Sequence, residues 1–126
     1  MKLGVHHIAL EAADFEKTLE FYQNALNMKL VRQWGDERKT AMLDIGDGSM
    51  MEIFSSGNTD PEVNAKYPHL AFRTDNCDET YAAAIAAGAT SRMEPRDMVL
   101  GNNDYPVRIS FVIGFSGEVI EFFQER

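Results

Sequence analysis

Two histidines and two glutamates stand out for the chemistry they could do together. His7 sits in VHHIAL and His69 in PHLAF, while Glu52 sits in MMEIF and Glu121 in VIEFF. Imidazole nitrogen and carboxylate oxygen are donors that hold borderline divalent cations. Both glutamates lie in apolar runs, Glu52 among Met50, Met51, Ile53 and Phe54, and Glu121 between Ile120 and Phe122. A carboxylate in such surroundings is costly to bury unless an ion pair or a metal compensates it. His7, Glu52, His69 and Glu121 together predict an octahedral site for one divalent metal, with positions left for water or substrate.

The elements that must position these residues occur twice. Val5–Leu10 reads as a strand whose alternation puts Val5, His7 and Ala9 on one face and Ile8 and Leu10 on the other. Asp14 is a good N-cap for a helix carrying Phe15, Leu19, Tyr22 and Leu26 at helical spacing. The design recurs 62 residues later: His69 falls on His7, Leu70 on Ile8, Ala71 on Ala9, Phe72 on Leu10 and Asn76 on Asp14. A second helix follows on Cys77, Tyr81 and Ala84, with Gly88 placed to close it. The last strands match at an offset of 69, because Gly48–Phe54 falls on Gly117–Phe123 with a glutamate four residues after each glycine.

The order is strand 3–11, helix 14–26, strands near 28–35, 38–45 and 49–55; then strand 68–74, helix 77–88, strands near 90–95, 106–114 and 117–124. Asp47-Gly48 and Ser116-Gly117 mark hairpins, and 56–66 is a polar linker. The seven residues by which the offsets differ are assigned to a loop at 97–105, long enough to cover a site. The fold class is α+β: two tandem βαβββ modules forming a cupped mixed sheet around one metal site. All of 1–126 forms a single domain, with module one at 1–56, a linker at 57–66 and module two at 67–126.

Composition narrows the function classes. The chain has 126 residues, 44% of them hydrophobic and 25% charged, ordinary values for a globular protein. A net charge of −8 and a pI near 4.8 argue against nucleic-acid or anionic-membrane partners. No apolar run approaches a membrane span, and Met1–Val5 leads directly into a strand, so no signal peptide is expected. A lone cysteine fits a reducing cytoplasm.

Other reactive side chains read as structural. Cys77 begins a helix but has no identifiable partner for chemistry. His6 shares the Ile8 face, against the helix side, and the corresponding position 68 is a proline. Trp34, Met42, Phe54, Tyr105 and Phe123 are candidates to shape a pocket, and read more readily as core or interface.

Over essentially its whole length the chain resembles the vicinal oxygen chelate superfamily, which includes glyoxalase I, extradiol dioxygenases, fosfomycin-resistance proteins, methylmalonyl-CoA epimerase and bleomycin-binding proteins. The likeness rests on HHIAL followed by Asp14 and Phe21-Tyr22, on MEIF, on PHLAF and on SGEVIEFF. The two-His, two-Glu set resembles that of glyoxalase I. It implies isomerisation of a 2-oxoaldehyde–thiol hemithioacetal to an S-2-hydroxyacyl thioester by proton transfer over a metal-held enediolate. Glu121 would be the principal base, with Glu52 able to share the role. The resemblance also implies one Ni2+ or Zn2+ ion per site, methylglyoxal detoxification, a cytoplasmic location and a homodimer.

Two positions depart from the glutathione-dependent pattern: Glu11 stands where that family has an arginine, and Ser56 where it has an asparagine. A different thiol or oxygen-chelating substrate is then implied, and Arg73, the duplicate of Glu11, offers a cation in the other module. The alternative readings are a methylmalonyl-CoA epimerase-like enzyme, or a non-catalytic small-molecule binding or resistance module of the same fold.

Overall fold

The computed structural model describes residues 1–55, 67–115 and 119–126. Ser56, the linker at 57–66 and the Ser116-Gly117 hairpin lie outside the described residues. The chain divides into two compact units, one made of His7–Pro68 and the other of Met1–His6 with His69–Arg126. Strand β1 (Leu3–Ala12) therefore gives its first residues to the second unit and the rest to the first.

In the first unit, β1 is followed by α1 (Phe15–Asn24), β2 (Lys29–Trp34), β3 (Thr40–Asp44) and β4 (Met50–Ser55), with strand order β2-β3-β4-β1. β4 runs parallel to β1 and antiparallel to β3. Asp14 caps α1 by accepting the Lys17 amide at 3.0 Å. Asn27 leaves the helix at φ 57°, where the Met28 amide reaches back to the Tyr22 carbonyl at 3.0 Å. Phe15 and Leu19 pack onto Ala12, Ala41, Leu43, Met51 and Ile53, forming the core. By strand alternation His7, Ala9, Met42 and Glu52 belong to the face away from that core. The β3–β4 turn places Gly48 at φ 95°, and Asp47 accepts the Ser49 amide at 3.0 Å.

The second unit repeats the plan with β5 (Leu70–Thr74), α2 (Cys77–Ala86), β6 (Thr90–Leu100), β7 (Tyr105–Ile113) and β8 (Val119–Glu125), in the order β5-β8-β7-β6. β5 and β8 are parallel. Asn76 caps α2 by accepting the Glu79 amide at 3.1 Å. Gly88 ends it at φ 108°, with its amide on the Ile85 carbonyl and the Ala89 amide on the Ala84 carbonyl, a Schellman motif. Cys77, Val112 and Phe122 form the core, flanked by Phe72, Tyr81, Ala84, Ile85 and Ile120. The fold is thus α+β, built from two βαβββ modules.

The loop expected at 97–105 is instead a long hairpin. β6 continues to Leu100, with Asp97 across from Arg108 and Leu100 across from Tyr105, leaving a short turn at 101–104. Pro95, which cannot donate to a ladder, sits where the register shifts between Met93 and Arg96, so the strand passes it at a bulge. No helix among the described residues is long and apolar enough to cross a membrane.

Candidate metal centre

Each glutamate stands on an interior strand between an alanine and a large apolar residue. Glu52 has Ala9 beside it on β1 and Met42 on β3. Glu121 has Ala71 beside it on β5 and Phe111 on β7. The alanine leaves room for the carboxylate, and two residues before it in the chain comes the histidine, His7 within β1 and His69 just ahead of β5.

In the first unit His7 Nε2 lies 3.3 Å from Glu52 Oε1. In the second, His69 Nε2 lies 3.1 Å from Glu121 Oε1. The same two atoms meet in both. His7 is 1% exposed, Glu52 6%, Glu121 4% and the His69 side chain 12%, so water hardly reaches either pair. Phe111 meets the His69 ring edge-on at 5.4 Å between centroids. A buried imidazole nitrogen and carboxylate oxygen brought together are a donor set that fits a divalent cation, and each unit supplies one such set. Within each unit the histidine offers Nε2 and the glutamate a carboxylate oxygen to such an ion.

His6 is structural, but not against a helix. Its ring is fully buried and stacks on Phe123 at 4.0 Å, with Nε2 3.3 Å from both the Tyr105 hydroxyl and a Glu125 carboxylate oxygen. The Tyr105 hydroxyl donates to the other Glu125 oxygen at 2.9 Å. Phe123 alternates onto the Glu121 face of β8, so this cluster fills the end of that face. Because the first residues of β1 belong to the second unit, the helix-side assignment that holds for Leu10 does not extend to His6.

Cys77 is buried, with its sulfur 3.3 Å from Ser110 Oγ. Burial pushes its thiol pKa up, the opposite of an activated nucleophile. Met42, Tyr105 and Phe123 are core residues, and Trp34 and Phe54 are half-buried. Met42 and Phe111 were not paired with the glutamates in the sequence reading. A hairpin symmetric about Asp47 sets Met42 opposite Glu52, so half of that information was present.

The chain was compared with known proteins. The family model for the Glyoxalase/Bleomycin resistance protein/Dioxygenase superfamily matches residues 4–108. A lactoylglutathione lyase of Neisseria meningitidis serogroup A is 28% identical over 134 aligned positions, covering 95% of this chain and 89% of that protein. The Vibrio cholerae protein named probable lactoylglutathione lyase is 31% identical over 127 positions, with the same coverages. Among solved structures, the methylmalonyl-CoA epimerase of Mycobacterium tuberculosis superposes with a TM-score of 0.77 at 19% identity, over 98% of this chain and 88% of that one; the likeness is one of fold. With the matched model spanning most of the chain and a relative above 30% identity along nearly all of it, the chain belongs to the Glyoxalase/Bleomycin resistance protein/Dioxygenase superfamily.

Proposed function

We propose that the protein is a metal-dependent lyase of the glyoxalase I type, converting a 2-oxoaldehyde–thiol hemithioacetal into an S-2-hydroxyacyl thioester. His7, Glu52, His69 and Glu121 would hold one Ni2+ or Zn2+ ion. The observation that carries this reading is the repetition, in both units, of one buried imidazole–carboxylate pair made through the same two atoms. Lactoylglutathione lyase is also the activity named for the relatives that align along nearly the whole chain.

When bound, the cation would act as a Lewis acid toward the substrate's neighbouring oxygens and make the C–H between them more acidic. Glu121 is then the base. Its carboxylate takes the proton from the hemithioacetal carbon and returns it to the adjacent carbon, while the hydroxyl proton passes to the former carbonyl oxygen; one C–H and one O–H bond break, one of each forms, and no external oxidant is needed. His69, 3.1 Å away, fixes the direction of that carboxylate, and Phe111 holds the His69 ring. The near-absence of exposure at Glu121 keeps the transferred proton from exchanging with bulk water. Glu52, 3.3 Å from His7, would share the work. We further assign the protein to the cytoplasm, as a homodimer, with a small-molecule substrate and neither nucleic acid nor membrane as partner. The acidic composition and single buried cysteine support that assignment.

The test is product analysis with methylglyoxal and a panel of thiols, in protein loaded with Ni2+ or Zn2+. Thioester formation that falls by about 10²–10⁴-fold in Glu121→Gln supports the reading. Failure to convert any hemithioacetal, with racemisation of a 2-methyl acyl-CoA instead, would replace it with an epimerase.

A further inference from the structure

We propose that His6 is a positioning residue of the metal centre: without touching the ion, its buried ring fixes the strand that presents His7. The inference deepens the function proposed above and rests on it. It starts from the beginning of β1, where Met1–Val5 are all exposed and His6 is the first buried side chain. Met1–His6 belongs to the second unit and His7 to the first, so β1 passes from one to the other at the peptide bond between the two histidines.

Three side chains grip the His6 ring. Phe123 stacks on it at 4.0 Å, and Nε2 stands 3.3 Å from both the Tyr105 hydroxyl and Glu125 Oε1. Tyr105 donates in turn to Glu125 Oε2 at 2.9 Å, so the carboxylate is pinned between phenol and imidazole. Tyr105 opens β7, while Phe123 and Glu125 stand at the end of β8, so a pair of strands takes hold of β1 at one residue. An apolar side chain would fill this slot without needing partners. A buried imidazole demands particular ones, and so fixes the orientation of its own backbone. The duplication carries a second restraint at the same place. The residue before His69 is Pro68, whose ring locks φ. Each candidate ligand histidine thus follows a restrained residue, by a covalent ring in one copy and by a buried cluster in the other.

One planar peptide unit joins His6 to His7, whose Cα atoms are about 3.8 Å apart. With the backbone fixed at His6, His7 has few orientations left to lose, and a cation meets a donor that is already aimed. Replacing His6 by a side chain without polar contacts removes that restraint. From His7 onward β1 is still held by its ladder to β4, so the strand stays in place while the aim of His7 Nε2 loosens. His6 therefore acts on metal affinity and on the arrangement of the ligands, through His7.

The experiment follows three readouts: Co2+ affinity by competition with a chromogenic chelator, the visible spectrum of Co2+-loaded protein, and urea unfolding of metal-free protein. We expect His6→Leu to weaken affinity roughly tenfold. It should also shift the Co2+ bands, which report how the ligands are arranged. His6→Gln, whose amide can reach the same partners, should recover part of both. Tyr105→Phe removes a single hydroxyl and should move both readouts the same way, by less. In the His6→Leu background it should add nothing further, because that hydroxyl acts on the site through the ring. Asn76→Ala is the control: it lowers stability in the same unit through a lost helix cap and should leave affinity and spectrum unchanged. If His6→Leu does not fold, Tyr105→Phe decides. Wild-type affinity and spectrum in the folded variants, or an equal loss in Asn76→Ala, overturns the role of His6 and leaves the metal site standing. No Co2+ bound by the wild type refutes the site itself, and this proposal with it.

Discussion

Phe111 lies directly across the β7–β8 ladder from Glu121 and packs T-shaped against the ring of His69, the residue Glu121 itself contacts. One apolar side chain thus abuts both members of an imidazole–carboxylate pair. In the first unit Met42 occupies the corresponding place beside Glu52. The two pairs share donors but differ in their walls: a rigid ring in one, a flexible thioether in the other.

That difference has a measurable consequence. Phe111→Leu is expected to loosen His69 and weaken metal affinity by about tenfold, as losing support around a ligand commonly does. Met42→Leu, nearly equal in volume, should change affinity much less. Competition titration against a chromogenic chelator compares the two directly.

The helix caps are separable from the site. Asp14→Ala and Asn76→Ala each remove an acceptor for a first-turn amide. Each should cost about 1 kcal/mol in urea unfolding, with metal affinity unchanged.

Ile53 flanks Glu52 on β4 but points into the α1 core, where it is fully buried. Ile53→Ala should destabilise the protein by about 3 kcal/mol, through lost burial and a cavity. Denaturant unfolding of metal-free protein checks this.

Cys77 supplies a pH dependence. Burial raises its thiol pKa in the fold. Between the ordinary thiol value of about 8.5 and the raised one, the unfolded chain has lost the proton and the native state keeps it. The contribution is therefore fully present below about pH 8.5 and is lost as pH rises from there. Comparing unfolding of wild type and Cys77→Ala at neutral and alkaline pH should show a smaller decline in the variant, which has no thiol to ionise.

Much of this was legible in the sequence because duplication supplies an internal control. Asp14 and Asn76 could be read as caps since each precedes the same apolar spacing, and Asp47-Gly48 sets the β3–β4 register. The loop expected at 97–105 is a hairpin for a physical reason: the seven residues by which the offsets differ lengthen the paired strands, the bulge absorbs Pro95 and the tight turn takes up Gly101 and Asn103 at φ 68° and 64°. His6 was misplaced because alternation within β1 says nothing about which unit each end of the strand joins. Its partners Tyr105, Phe123 and Glu125 are about a hundred residues away, beyond any local pattern.

The most direct test of the central claim is metal content per chain, by elemental analysis after loading with Ni2+ or Zn2+ and desalting. The account expects about one ion per chain in the wild type and loss of that ion in both Glu52→Gln and His69→Ala, one change from each unit. No bound ion in the wild type, or full retention in either variant, would contradict a site shared by all four residues.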